Sequence, residues 1–344
     1  MAKATRRKVA ARALNLALQG GGAHGAFTWG VLDRLLEEPD LAFDGISGTS
    51  AGAMNGAVMV AGLATGGNDG AREALEAFWR RVSEAGRFGP IQRTPLDRAA
   101  GNWNLDTSPG YLFFEQMTRM LSPYQFNPGN WHPLREILDQ AIDFAALRDA
   151  PVKLFVSATN VRSGKNRIFD CTELTADVLL ASACLPHVFQ AVEIDGEAYW
   201  DGGFMGNPAI YPLIYECASS DVAIVQVNPI ERDTVPTTAP EIVDRLNEIS
   251  FNSTLMREMR AIAFVTRLID EGRLGSDHYK RMNVHLIEAE AEMKGLGVSS
   301  KLNADWEFLT HLRDVGRTAA QAWLTTHRDD IGERSTVDLA EKFL

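Results

Sequence analysis

The amino-acid sequence predicts an α/β protein, a mainly parallel sheet with helices on both faces, continued by a mostly helical C-terminal region. Three observations carry this. Over the first two thirds of the chain, apolar runs of strand length alternate with stretches of helical periodicity, the pattern that builds parallel sheets. Twice a glycine-rich turn stands between an apolar run and an amphipathic segment, at Gly20-Gly21-Gly22-Ala23-His24-Gly25 and at Gly48-Thr49-Ser50-Ala51-Gly52. From Pro240 onward the chain becomes mostly helical, with apolar residues at helical spacing.

Taken in order, Ala13 to Leu18 reads as the first strand, and Phe27 to Leu36 as the helix after the first turn. Phe43 to Ser47 is the second strand. The helix behind the second turn, Ala51 to about Leu63, is rich in Ala and Gly, so it can lie close to a sheet; packing alone would also explain that composition. Ala71 to Val82 continues as an amphipathic helix. Residues 86–133 change character: Pro90, Pro95, Pro109, Pro123, Pro128 and Pro133 stand among Trp103, Tyr111, Phe113, Phe114, Tyr124, Phe126 and Trp131. Such an excursion reads either as a cap over a site or as an ordinary packed insertion. Lys153 to Asn160 is a strand and Arg167 to Asp170 a short one. Thr175 to Ala183 is helical and stops at Leu185-Pro186. Ala198 to Asp201 is a strand entering a tight turn at Gly202-Gly203, and Val222 to Val227 is a buried strand. Ile242, Leu246, Ile249, Leu255, Met259, Ile262 and Leu268 supply one long apolar helical face. Asn283 to Glu288 is the last strand, and Trp306 to Thr326 another helix.

The length of 344 residues suits one large or two small domains with a sizeable core. A net charge of -11 argues against a nucleic-acid partner and gives no bulk attraction to anionic membranes. The exception is the start, where Lys3, Arg6, Arg7, Lys8 and Arg12 cluster. Residues 1–13 read as a disordered basic tail, with peripheral membrane contact as its other use. The apolar run after it is too short for a signal peptide, and Ala51 to Leu63 is too short and glycine-broken for a membrane span. Cys171, Cys184 and Cys217 form no C-x-x-C pair and leave one over, which fits a reduced, cytoplasmic setting.

Ser50, between Gly48 and Gly52, is the candidate nucleophile. Small neighbours let the chain bend sharply from strand into helix and hold the hydroxyl at the apex, where the helix N-terminus adds partial positive charge. Gly20, Gly21 and Gly22 can offer unobstructed backbone N–H groups as an oxyanion hole. The candidate base is Asp201, at a strand end before Gly202 and Gly203; a purely structural Asp-Gly turn is the alternative. Both read as lying at the carboxyl ends of strands, where open sheets gather reactive groups. A triad of Ser50, Asp201 and either His278 or His285 fits the chain order of the α/β-hydrolases. One strand before the elbow strand leaves too little chain for the opening of that fold. His24, His132, His187, His311 and His327 show no metal-ligand spacing. Gly20-x-Gly22-x-x-Gly25 with Asp44 also spells a dinucleotide fingerprint. A second strand-turn-helix motif follows Asp44 at once, and no Gly-Lys-Ser/Thr follows either turn, so nucleotide binding is disfavoured.

With the glycine turn, Gly48 to Gly52, and Asp201-Gly202-Gly203 in this order, residues 14–230 resemble the patatin-like phospholipases. Ala181-Ser182-Ala183-Cys184-Leu185-Pro186 is similar to a further segment of that family. The resemblance implies a three-layer α/β/α sandwich acting on phospholipids, glycolipids or other acyl esters. It implies that Ser50 attacks the carbonyl and Asp201 takes its proton directly, with no histidine between them. Backbone N–H groups around Gly20, Gly21 and Gly22 would stabilise the oxyanion, and no cofactor or metal is needed. Residues 86–133 would be the insertion or cap. Residues 231–344 look like an extra C-terminal region carried by some bacterial members, packed on the same core. Two positions depart from the family: His24 stands where many members have Arg or Lys, and Gln19 where Asp or Gly is frequent. A carboxylate with an ordinary pKa near 3.9 is a weak base for a serine, so such a dyad needs a site stripped of water. The rival reading is a non-catalytic acyl-lipid binding protein on the same fold.

Overall fold

The computed structural model describes residues 12–275 and 278–344. Its strands are β1 (Arg12–Leu18), β2 (Leu41–Thr49), β3 (Lys153–Asn160), β4 (Asn166–Asp170), β5 (Val192–Ile194), β6 (Glu197–Asp201), β7 (Asp221–Val225) and β8 (Asn283–Ile287). They form one sheet in the order β5-β6-β3-β2-β1-β7-β8, with β4 also paired to β3. The run β3-β2-β1-β7-β8 is parallel throughout, and β4, β5 and β6 join it antiparallel.

Side chains of the parallel strands alternate between two cores, because successive residues of a strand face opposite ways. Leu16, Leu18, Leu154, Val156, Ala223 and Val225 enter one core, whereas Ala17, Phe155, Val222, Ile224 and Val284 enter the other. Burial on both faces is why these strands read as continuous apolar runs. The first core is roofed by α1 (Gly25–Leu35), α2 (Ala51–Gly86) and α12 (Trp306–His327), the second by α9 (Tyr211–Glu216), α10 (Ala239–Asp270) and α13 (Leu339–Phe343). The result is a three-layer α/β/α arrangement with a helix-rich C-terminal region, as expected. That region is part of the sheet, since β8 pairs with β7. Between β2 and β3 lie α3 (Pro95–Ala99), α4 (Pro109–Met120), α5 (Pro123–Phe126), α6 (Pro133–Ala141) and α7 (Phe144–Arg148); α8 (Ala176–Ser182) precedes β5, and α11 (Glu290–Met293) follows β8.

Four details differ from the sequence reading. Arg12 and Ala13 belong to β1, paired with Leu41 and Ala42, rather than to a tail; the rest of the basic cluster lies outside the described residues. The helices read at Ala51–Leu63 and Ala71–Val82 run together as α2, interrupted at Gly67, whose φ of 63° is non-helical. The three-residue strand β5 carries too short a pattern to be read. The long apolar face of α10 splits in two. At about 100° per residue, Leu255, Met259 and Ile262 share a buried side with Glu248, Phe251 and Asn252, while Ile242, Leu246 and Ile249 fall on the far side and are exposed.

Register along β3 positions the site. Ser157 pairs with both Thr49 of β2 and Ile168 of β4, while Ala158 pairs with both Asp201 of β6 and Arg167 of β4. A strand residue has one neighbour on each side, so β2 and β6 share the edge of β3 opposite β4. They run antiparallel and meet end to end, bringing the C-terminus of β2 to the C-terminus of β6.

Candidate active site

Ser50 is the residue between β2 and α2, with φ 54° and ψ -123°. A left-handed φ on a side-chain-bearing residue costs on the order of 1–3 kcal/mol and persists only where the surroundings impose it. Here they do. A Cβ on Gly48 would lie 2.7 Å from the Ala53 backbone, and one on Gly52 would lie 2.2 Å from the Leu18 carbonyl oxygen. The bend therefore requires glycine on both sides of the serine. The Ser50 N–H donates to Ser182 Oγ at 2.8 Å, so the Ala181-Ser182 segment braces the elbow from α8. Thr49 Oγ1 donates to the Gly206 carbonyl at 2.6 Å, and Ser47 Oγ donates to that of Ala209. These bonds tie β2 to the loop that follows Asp201.

Asp201 ends β6 and is 1 % exposed. Its N–H donates to the Cys184 carbonyl at 2.8 Å and its own carbonyl accepts from Thr159 Oγ1 at 2.8 Å. Its Oδ1 accepts the Gly203 N–H at 2.7 Å, and the Ser50 hydroxyl is among the groups that act on its carboxyl. Burial pushes the carboxyl up to about 7, opposed by the Gly203 N–H, the Ser50 hydroxyl and the Lys301 ammonium. A Cβ on Gly202 would meet the Ser157 carbonyl at 2.1 Å, and one on Gly203 would meet the Phe251 ring of α10 at 2.3 Å. The close packing of this turn keeps water from the carboxylate.

The glycine loop lies against the elbow: a Cβ on Gly20 would sit 2.8 Å from Ser50 Cβ. Its three N–H groups are not equivalent. That of Gly20 donates to Asn207 Oδ1 at 2.7 Å, so Gly20 is not a free oxyanion donor. It is held as a strut instead. The N–H groups of Gly21 and Gly22 have no acceptor among the described residues, and Gly22, at φ 59°, is exposed. Gln19 is fully buried and organises the loop. Its Oε1 accepts from the Val227 and Asn228 N–H groups at 2.8 and 3.0 Å; its Nε2 donates to the Asn207 carbonyl and Asn252 Oδ1 at 3.2 and 3.1 Å.

The histidines lie elsewhere. His285 Nε2 sits 3.0 Å from Asp221 Oδ1 and its Nδ1 3.1 Å from Thr336 Oγ1, both within the C-terminal packing. His278 follows α10, and His187 is exposed. His24 is buried with Nε2 2.7 Å from Ser300 Oγ, its pKa held well below the usual imidazole range by burial and by Lys301. Neither His278 nor His285 is among the groups acting on the Asp201 carboxyl. Sequence reasoning missed Asn207, Asn228, Asn252 and Lys301. Asn207 and Asn228 each precede a proline, which marks a turn, but nothing in the sequence signals Lys301.

Comparison with known proteins identifies a family. The family described as patatin-like phospholipase matches residues 16–214. The chain is 26% identical over 232 residues to lysophospholipase NTE1 of Cryptococcus neoformans var. neoformans serotype D, covering 67% of this chain and 12% of that protein. It is 24% identical over 230 residues to lysophospholipase nte1 of Aspergillus terreus, covering 66% and 13%. It thus spans about an eighth of the length of these curated relatives. Among solved structures, VipD from Legionella pneumophila aligns with a TM-score of 0.44 at 15% identity over 97% of this chain and 73% of that one. The type III effector protein ExoU aligns at 0.32 and 15% identity over 92% and 53%. With more than half of its length matched by the family, the chain belongs to the patatin-like phospholipase family.

Proposed function

We propose that the protein is a lipid acyl hydrolase that cleaves carboxylic esters through a Ser50–Asp201 dyad. The observation that carries this is the β3 register, which brings the end of β2, with Ser50 next to it, against the end of β6 at Asp201, a buried carboxyl pushed up to about 7 on which the Ser50 hydroxyl acts. A carboxylate near 3.9 would barely accept a serine proton; one near 7 is a matched base at neutral pH. Ser50 Oγ attacks the ester carbonyl carbon as its proton passes to Asp201. The oxyanion forms against the Gly21 and Gly22 N–H groups. Collapse of the tetrahedral intermediate breaks the ester C–O bond, and the proton on Asp201 goes to the departing alkoxide. Water then attacks the acyl-Ser50 ester, giving its proton to Asp201, and the acid leaves with Ser50 restored.

In this reading residues 14–230 carry the chemistry, 86–133 are an insertion or cap within them, and 231–344 pack against the site from the other side through Phe251 and Asn252. No helix of the described residues is long and apolar enough to cross a membrane. The family relatives support a lipid ester as substrate, the two curated ones being named lysophospholipases. The test is turnover of a short nitrophenyl ester by Ser50→Ala and Asp201→Asn. Each should lose at least a thousandfold in kcat with the fold intact. Wild-type rates in either variant reject the dyad. Lipid profiling of wild type against Ser50→Ala then identifies the head group and acyl position.

A further inference from the structure

We infer that Lys301, acting through Asn228, is a positioning residue for the glycine loop: the ammonium fixes the Asn228 amide, which holds the Gly20 carbonyl and so aims the Gly21 and Gly22 N–H groups. This rests on the hydrolase reading and deepens it. Lys301 comes from the short 3₁₀ turn Val298–Leu302, far along the chain from the loop it touches. Its Nζ donates to Asn228 Oδ1 at 2.9 Å and to Asn247 Oδ1 at 2.7 Å. Asn228, 1 % exposed just beyond β7, donates from Nδ2 to the Gly20 carbonyl at 3.0 Å.

The chemistry of the groups makes this chain directional. A lysine ammonium only donates, so it binds the oxygen of a carboxamide and never its nitrogen. With Oδ1 turned to Lys301, the Asn228 amide has only its NH₂ to offer Gly20. Removing the ammonium leaves Asn228 Oδ1 buried without its donor, so the amide is held only by its Nδ2 bonds to Gly20 and Gln19 and loosens its grip on the loop. Gly20 is clamped at both ends, by Asn207 on its N–H and by Asn228 on its carbonyl. Lys301 also touches the loop directly, since a Cβ on Gly22 would lie 2.5 Å from the Lys301 carbonyl oxygen. Among the described residues no carboxylate reaches ion-pair distance of its ammonium, so its bonds go to neutral amides.

Lys301 is faced by Asp244 and Glu248 from α10, Asp201 from the end of β6, and His24 from the glycine loop. Burial lowers its pKa to about 8 against the pull of Glu248, Asp244 and Asp201. His24 stays neutral well below that pH, and Asp201 is half ionised at about 7, which raises activity rather than lowering it as pH increases. In this cluster Lys301 is the group whose loss of a proton lowers activity, so an alkaline limb near pH 8 is the outcome the proposal predicts.

The experiment uses the full chain with a short nitrophenyl ester. Lys301→Met should lower kcat ten- to hundredfold with KM within about twofold, and Lys301→Arg should restore most of it. The wild-type alkaline limb near pH 8 should vanish in Lys301→Met and move upward in Lys301→Arg. Asn228→Ala should cost a similar factor, and the double variant little more than either, because both act through one bridge. Wild-type kcat and pH profile in Lys301→Met overturn the proposal, as does full additivity with Asn228→Ala. If Lys301→Met does not fold, Asn228→Ala decides alone: the alkaline limb should be gone, and its retention overturns the proposal. If the wild type neither turns over ester nor labels at Ser50, the hydrolase reading fails separately. Amide exchange at Gly21 and Gly22 then still tests the clamp in whichever variant folds; faster exchange than wild type supports it, and an unchanged rate overturns it.

Discussion

The proposed base, Asp201, should be a liability to the fold, and its burial sets the size of that liability. Asp201 is buried, and its carboxyl is raised from an ordinary value near 3.9 to about 7. Below pH ~4 the carboxyl is protonated in both folded and unfolded chains and costs nothing. Between ~4 and ~7 the unfolded chain releases the proton while the folded one keeps it, so stability falls as pH rises through this window. Above ~7 the loss is complete, about three pH units at 1.36 kcal/mol each, or roughly 4 kcal/mol. Asp201→Asn removes the titration and keeps the shape. Its Oδ1 can still accept the Gly203 N–H and its NH₂ can donate to Ser50 Oγ. The variant should therefore gain on the wild type by about 1–2 kcal/mol at pH 5 and roughly 4 kcal/mol at pH 8, while losing turnover. Urea unfolding of both proteins at pH 5, 6.5 and 8 measures this. A stability gap that does not grow with pH refutes the reasoning, and so does an Asp201→Asn protein less stable than wild type at pH 8.

Two further outcomes separate chemistry from scaffolding. His285→Ala should lower stability by about 3 kcal/mol, because Asp221 is left with one buried partner fewer; its kcat per folded molecule, read by active-site titration, should match wild type. Gly22→Ala should lower kcat at least a hundredfold with modest loss of stability, since its φ of 59° and the Lys301 carbonyl 2.5 Å from a new Cβ both push the loop out of line.

What the sequence disclosed followed from local constraint. The β1–turn–α1 and β2–elbow–α2 units were legible because a sharp bend needs small residues at set offsets, and Gly48 and Gly52 meet backbone within 2.7 Å. β3 was legible because burial on both faces leaves the consecutive apolar residues Leu154, Phe155 and Val156. α10 was misread for the same reason that helices are usually readable. Its exposed Ile242, Leu246 and Ile249 keep helical spacing, and periodicity alone does not show that Leu255 and Met259 point the other way. The end-to-end meeting of β2 and β6 depends on pairing across more than a hundred residues, which leaves no pattern in the chain. Nor do the amide bonds joining Gln19, Asn207, Asn228 and Asn252, since a polar side chain looks alike whether it faces solvent or a buried carbonyl. The Gly20 N–H was expected to serve the oxyanion, and only its bond to Asn207 Oδ1 reassigns it.

Labelling by a fluorophosphonate probe, read by intact mass across pH 5 to 9, tests the dyad most directly, because the probe reacts only with an activated serine. One adduct should form on Ser50, its rate rising tenfold per pH unit up to about 7 and falling again above about 8, with the reaction all but abolished in Asp201→Asn and unaltered in His285→Ala. An unlabelled Ser50, or undiminished labelling in Asp201→Asn, would contradict a serine activated by Asp201.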